Sequence, residues 1–159
     1  MKKVLSIKYL VLRGKDEGFT LIELLVVISI IGILAGLLIS NMAGMRERAR
    51  DVQRKSDLDQ MKKALRMYYN DHSSYPTSIP AAKSEFSEGE MVYMKMIPGD
   101  PSTDSSYGYY PCGASSPQDF RLVATLENKS DPGIGNSQQK CPQGCGVTYS
   151  TDSYVVCAD

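Results

Sequence analysis

The sequence has very few of the side chains from which catalytic sites are built. It contains one histidine, His72, among 159 residues. A Ser/His/Asp arrangement needs that histidine beside an activated nucleophile, and nothing near His72 in the sequence supplies one. Gly-rich loops with the spacing of a P-loop or a dinucleotide-binding turn are also absent. We therefore interpret His72 as a solvated turn residue and predict that the chain is not an enzyme.

The chain also lacks a net charge, because 18 basic side chains balance 18 acidic ones. The balance is uneven along the sequence. Residues 1–18 carry five basic and two acidic side chains, so the remainder has a formal charge of about −3. A slightly acidic surface disfavours nonspecific binding to nucleic acid, and no nucleic-acid partner is predicted. The basic segment predicts a cytoplasmic N-terminus, with the rest of the chain exported.

No proline occurs between Phe19 and Tyr75, so nothing there removes a helical N–H group. We predict one long helix from Phe19 to about Asn70. Residues 19–45 are apolar nearly all round, which is typical of a membrane-spanning segment. Within it, Gly32 and Gly36 have the spacing that lets helices pack closely in lipid.

The second half of the predicted helix, residues 46–70, is amphipathic. Leu58, Met61, Leu65 and Tyr68 recur at steps of three and four residues, which predicts a face that packs on a globular head. The charged run over 46–55 is interpreted as a solvated helix face, because acids alternate with bases in it.

Four cysteines lie in the last third of the chain: Cys112, Cys141, Cys145 and Cys157. An even number in an exported domain predicts two disulfides, with three pairings open. We favour Cys112 with Cys157 and Cys141 with Cys145, because the outer two cysteines flank predicted strands. A four-thiolate metal site is disfavoured, since the spacing between Cys141 and Cys145 is not the usual two-residue knuckle.

Three short segments after the helix have the composition of strands: Tyr107–Pro111, Phe120–Leu126 and Tyr154–Cys157. The first two are expected to form a hairpin, and residues 128–153 an exposed loop. In the second strand, apolar residues alternate with their neighbours: Phe120, Leu122 and Ala124 point to one face. We expect this face to pack on the helix. The predicted fold class is α+β. A long N-terminal helix packs on a small antiparallel sheet, and residues 71–159 form a loop-rich head.

The most specific feature is the segment GFTLIE at Gly18–Glu23, between the basic leader and an uncharged run of sixteen residues over 24–39. A carboxylate at a membrane helix centre costs about 2.5–3.5 kcal/mol, and less near an end, so Glu23 needs a reason to be there. An ordinary signal sequence is cut after its apolar region, whereas the small residue here, Gly18, precedes it.

This arrangement resembles the type IV pilin and pseudopilin family. The resemblance implies that residues 1–18 are a leader, cut between Gly18 and Phe19 by a prepilin peptidase that also methylates the new amine of Phe19. It further implies that Glu23 pairs with the Phe19 amine of a neighbouring subunit during assembly. Two buried opposite charges would offset part of each other's desolvation cost.

A second resemblance lies at the end of the predicted helix. Ala64-Leu65, Tyr68-Tyr69, Asn70-Asp71 and Tyr75-Pro76 look like the helix end of the major pseudopilin of type II secretion. This favours a secretion pseudopilus, whereas paired cysteines are frequent in the C-terminal loops of major pilins and favour a surface pilus. The sequence leaves the choice open.

The family resemblance implies a homo-oligomeric helical filament as the functional state. The expected partners are the prepilin peptidase and methyltransferase, an assembly platform in the inner membrane, and minor pilins. The subunit would wait in the cytoplasmic membrane and then form an extracellular or periplasmic filament. The alternative is a monomeric, membrane-anchored binding module.

Calcium is the one cofactor with candidate ligands. Some pseudopilins hold calcium in their C-terminal loops, and Asp100, Asp104 and Asp131 are the carboxylates available here. No twelve-residue EF-hand pattern occurs, so a calcium site here would have to be of another kind. Otherwise no cofactor is expected.

Overall fold

The computed structural model of this chain describes residues 18–40 and 42–158. Of the predicted leader, only Gly18 belongs to these residues. The chain divides at residue 41 into two units, which are described separately. The continuity of the long helix through Asn41 lies outside the described residues.

The first unit consists of helix α1, Leu21–Ser40. Its apolar side chains are exposed on every face, from Leu21 to Leu37. The described side chains of α1 are therefore unburied, and apart from Glu23 and Ser29 the surface that they form over residues 21–37 is apolar. Gly32 and Gly36 lie on this surface with no other atoms nearby.

Within 18–40 and 42–158, no helix combines the length and the apolar character that spanning a bilayer requires.

The second unit begins with helix α2, Met42–His72. The predicted stripe is confirmed, because Leu58, Met61 and Leu65 are buried and Tyr68 packs at the edge of the same core. The helix ends where Ser73 takes a positive φ of 56° and its N–H donates to the Tyr69 carbonyl at 2.7 Å. A left-handed residue at this position is a common helix stop.

A hairpin follows, formed by β1 (Phe86–Glu88) and β2 (Met91–Met94). A three-stranded antiparallel sheet comes next along the chain, with β3 at Gly108–Cys112, β4 at Asp119–Thr125 and β5 at Ser153–Cys157. The strand order is β3-β4-β5, so β4 is central. The three predicted strands and the β3–β4 hairpin are confirmed, with bounds shifted by about one residue.

The core lies between α2 and the sheet. Phe120, Leu122 and Ala124 of β4 are buried in one cluster with Leu58 and Leu65 of α2. The alternation predicted for β4 is therefore confirmed, and the α+β class with it. Aromatic rings close the end of the core near the helix terminus, where the ring centroids of Tyr75 and Phe120 lie 4.7 Å apart.

Two elements were missed by the sequence analysis. The loop expected over 128–153 contains helix α3, Pro132–Lys140, which Asp131 caps by accepting from the Gly133 N–H at 2.7 Å. Glycine and polar residues give this segment little helix propensity, but the cap and the buried Ile134 hold it. The hairpin β1–β2 was missed because only Phe86 and Tyr93 are buried in it.

The core role of α2 gives a matched pair of substitutions on one helix. Leu65 is 2% exposed and Met67 is 50% exposed. We expect Leu65→Ala to lower the free energy of unfolding by about 2–5 kcal/mol, because it removes a packed side chain and leaves a cavity. Met67→Ala should change it by less than about 0.5 kcal/mol. Denaturant titration of the purified protein checks both values, and equal effects would contradict the assigned core.

Candidate functional site

The predicted processing residues, Gly18 and Phe19, lie outside helix α1. Gly18, Phe19 and Thr20 precede the first turn of α1 and are exposed. The Phe19 side chain is 86% exposed. Proteolysis favours exposed segments outside helices, and this segment is both exposed and non-helical.

Thr20 and Glu23 form a reciprocal cap on α1. The Thr20 N–H and hydroxyl donate to the Glu23 carboxylate oxygen Oε2 at 2.9 and 2.8 Å. The Glu23 N–H donates in turn to the Thr20 hydroxyl at 3.3 Å. This is a capping box, which satisfies two N–H groups that the first turn of a helix leaves free. The carboxylate of Glu23 is therefore hydrogen-bonded within its own chain.

A second polar cluster lies under the start of α2, where the charged run was expected to be solvated. That interpretation is wrong for two residues, since Asp51 is 1% exposed and Arg54 is 3% exposed. Arg54 donates to Asp51 at 2.7 Å. Their spacing puts both on the same face as Leu58, and this is the signal by which their burial could have been predicted.

Asp51 and Arg54 join the helix to two loops. The Asp51 carboxylate accepts the backbone N–H groups of Glu127 and Asn128 at 2.9 and 2.8 Å. Arg54 donates to Asp100 at 2.6 and 3.1 Å, and its guanidinium lies 2.8 Å from Glu127. The cluster thus fixes the loop before β3 and the loop after β4 to one turn of α2.

The charges in this cluster shift one another's titration. The Arg50 guanidinium, followed by Arg54, holds the pKa of Glu127 far below its usual range. The hydrogen bond from Arg54 lowers the pKa of Asp100, and the same contact raises that of Arg54. Burial raises the pKa of Asp57, whose carboxylate accepts from the Tyr107 hydroxyl at 2.8 Å.

The three calcium candidates lie beside three different basic side chains. Asp100 pairs with Arg54 at 2.6 Å, Asp104 with Lys83 at 2.7 Å, and Asp131 with Lys55 at 2.6 Å. Over residues 18–40 and 42–158, the ligand atoms of these three carboxylates do not converge on one point. Calcium binding stays a prediction.

The four cysteines form two disulfides, but the favoured pairing is wrong. Cys112 is bonded to Cys145, and Cys141 to Cys157. Cys112 ends β3 and Cys157 ends β5, on opposite sides of β4. Strands two apart are separated by about 9–10 Å, whereas bonded cysteines need Cα atoms within about 7 Å. The sheet order therefore forbids the expected bond between them.

His72 is exposed, as predicted, but it is the last residue of α2 and not part of the turn that follows. Its ring stacks on Tyr68 with centroids 4.2 Å apart, and Nε2 lies 3.3 Å from a carboxylate oxygen of Glu88. The contact with Glu88 was not predicted, because the hairpin that carries Glu88 has no clear strand pattern in the sequence.

An apolar helix with a capped, accessible N-terminal segment, followed by a helix packed on a small antiparallel sheet, defines a pilin-like subunit. Comparisons with known proteins agree. The family model described as "Prokaryotic N-terminal methylation motif" matches residues 13–39. No solved structure matches the chain at a significant level.

Three of the relatives found by sequence carry the name type II secretion system core protein G. The protein of Aeromonas hydrophila is 37% identical over 78% of this chain and 94% of its own length. That of Klebsiella pneumoniae is 38% identical over 77% and 94%, and that of Pseudomonas aeruginosa is 32% identical over 78% and 96%. The chain belongs to the type II secretion system core protein G family. The sequence left open whether the chain is related to a secretion pseudopilus or to a surface pilus, and the family found is that of type II secretion.

The buried cluster predicts a dependence of stability on pH. Because the pKa values of Asp100, Glu127 and Asp131 are lowered in the folded chain, their contribution is fully present above their unfolded values, near pH 4. It is lost as pH falls through the folded values. Asp57 acts in the opposite direction, since its pKa is raised. We expect the midpoint of denaturant unfolding to fall steeply below about pH 4.

Arg54→Met tests the origin of that dependence. It should cost about 3–5 kcal/mol at pH 7, because the carboxylates beside Arg54 lose their buried partner. The acid-dependent loss should be smaller than in the wild type. Arg48→Met, at an exposed position of the same helix, is the control and should cost less than about 0.5 kcal/mol. An unchanged pH profile in Arg54→Met would contradict this assignment.

Proposed function

We propose that the chain is a structural subunit of a type II secretion pseudopilus, which polymerises through its N-terminal helix. The observation that carries this proposal is the GFTLIE segment, with Glu23 capping an apolar helix directly after an accessible Gly18–Phe19 bond. Membership in the core protein G family supports it.

Processing is the first step of the proposal. A prepilin peptidase cuts between Gly18 and Phe19 and methylates the Phe19 amine. The exposed, non-helical segment Gly18–Thr20 supports this, because the bond to be cut lies before the first helical turn.

Anchoring is the second step. Before assembly, residues 19–45 hold the subunit in the cytoplasmic membrane, with the head on the outer side. The uncharged run over 24–39 and the basic residues before it support this orientation. After assembly the subunit is part of a periplasmic filament.

Assembly is the third step. The Phe19 amine of one subunit pairs with Glu23 of its neighbour. In the single chain the Thr20 groups occupy the Glu23 carboxylate, and the charged amine replaces or supplements them. An ion pair shielded from water by surrounding apolar helices is stronger than the same pair in water. Gly32 and Gly36 allow close approach of helices in this packing.

The proposed partners follow from these steps. They are further copies of this chain, the prepilin peptidase and methyltransferase, an assembly platform in the inner membrane, and minor pilins. The C-terminal head, held by two disulfides, would form the outer surface of the filament.

Intact mass and N-terminal sequencing of sheared filament material test the processing step. We expect the polypeptide to begin at Phe19 and to carry one added methyl group, because the peptidase cuts and methylates at that bond. A protein that retains its leader and stays in the membrane fraction would overturn the proposal in favour of the monomeric, anchored binding module.

Glu23→Ala tests the assembly step. The variant should be inserted and cleaved normally, but the yield of sheared filament should fall by about tenfold or more, as expected for a lost contact of at least 1.4 kcal/mol. Glu47→Ala removes an exposed carboxylate from α2 and serves as the control. Wild-type filament yield from Glu23→Ala would show that Glu23 does not carry the pairing.

A further inference from the structure

The outward face at the start of α2 is both apolar and basic. Met45 and Val52 are 64% and 66% exposed, and Ala49 lies between them on the same face at helical spacing. Arg48 lies beside this stripe and is exposed. We call these four residues, with the adjacent exposed Arg46, the basic patch.

No carboxylate interrupts the basic patch over its first two turns. Glu47 shares a helix face with Arg54, seven residues later, and Arg54 faces the buried cluster. Nothing among the described residues of the head covers Met45 or Val52, because both are more than half exposed. Exposed apolar side chains grouped beside like charges are typical of an interaction surface.

The tip of the hairpin β1–β2 has the complementary character. Glu88, Glu90, Met91 and Val92 are exposed around the turn at Gly89, which has a φ of 60°. The hairpin, residues 86–94, contains no basic side chain. We call these four exposed residues the acidic patch.

The two patches lie at opposite ends of the head. Glu88 contacts His72 at the last turn of α2, and Phe86 packs with Tyr68 at a ring distance of 5.6 Å. Arg48 precedes His72 by 24 residues, which corresponds to about 36 Å along a helix. The basic and acidic patches of one chain therefore do not meet each other.

We propose that the basic patch of one subunit binds the acidic patch of a second copy of this chain. The inference deepens the proposed function and rests on it, because it names the surfaces by which heads meet in the filament. Opposite charges flank apolar side chains on both surfaces, so each contact removes apolar area from water while its charges set the register.

The geometry of this contact also explains open growth. The two patches are unlike and lie at opposite ends of the same unit, so the contact is heterologous. A heterologous contact that does not close into a ring repeats indefinitely and yields a filament. The Phe19–Glu23 pairs set the offset between neighbouring helices, and the paired patches add a contact that sets how the heads meet.

Charge reversal and charge exchange test the proposal. Arg48→Glu and Glu90→Lys alter exposed side chains, and Glu90 is preferred to Glu88 because Glu88 contacts His72. Each single variant should reduce the yield of sheared filament by about tenfold, since like charges then face each other. The double variant, Arg48→Glu with Glu90→Lys, should recover most of the wild-type yield.

Lys129→Glu is the control, since it reverses an exposed charge outside both patches and should leave the yield unchanged. In every variant, the intact mass shows whether the leader was cut. The presence of both disulfides shows whether the head has folded. Failure of the double variant to recover would overturn the proposal. That outcome is expected if the arginines instead bind anionic lipid headgroups.

Cross-linking separates the proposed contact from a symmetric one. A chain with Val52→Cys and Met91→Cys should form a ladder of oligomers on nonreducing gels of filament material, whereas Val52→Cys alone should stay monomeric. Dimers from Val52→Cys alone would show two basic patches facing each other and would overturn the proposal. If the wild type forms filaments but the double-cysteine chain gives no ladder, this inference alone is wrong. If the wild type forms no filaments, the proposed function is wrong as well.

Discussion

The head of this protein depends on a buried charge cluster on the first turns of α2. Asp51 holds two backbone N–H groups of the loop after β4, and Arg54 binds carboxylates from that loop and from the loop before β3. Taking these charges out of water is costly, and only near-complete hydrogen bonding compensates for it. Within the described residues every buried side-chain nitrogen and oxygen has a partner. The cluster therefore sets where the sheet lies along the helix.

The positions of the remaining elements follow from this placement of the sheet on α2. With the loop after β4 tied to Asp51, the strand β4 lies along α2, and its buried residues meet the helix stripe. β3 and β5 then pair on either side of β4. The disulfides join each outer strand to the segment that carries α3. Because the core of so small a domain is limited, these covalent bonds help to hold the short strands in place. Function in this family would need such a rigid head, because a filament repeats one geometry many times.

The two units have different physical roles. The helix α1 offers an apolar surface on every side and a capped carboxylate at its start. In the proposed filament it supplies cohesion, and Glu23 pairs with the amine of a neighbouring helix. The head adds the proposed contact between the basic patch at the start of α2 and the acidic patch at the hairpin tip.

The sequence by itself determined whatever depends on local pattern: the GFTLIE segment, the apolar helix, the buried stripe of α2 and the three strands of the sheet. Each follows from the periodicity of neighbouring residues or from a contiguous motif. Only the tertiary structure decided the disulfide pairing, the loop partners of Asp51 and Arg54, the hairpin β1–β2 and the helix α3. The disulfide pairing depends on which strand lies between which others. The partners of Arg54 and Asp51 lie 46 to 77 residues away, and no local pattern encodes such a distance.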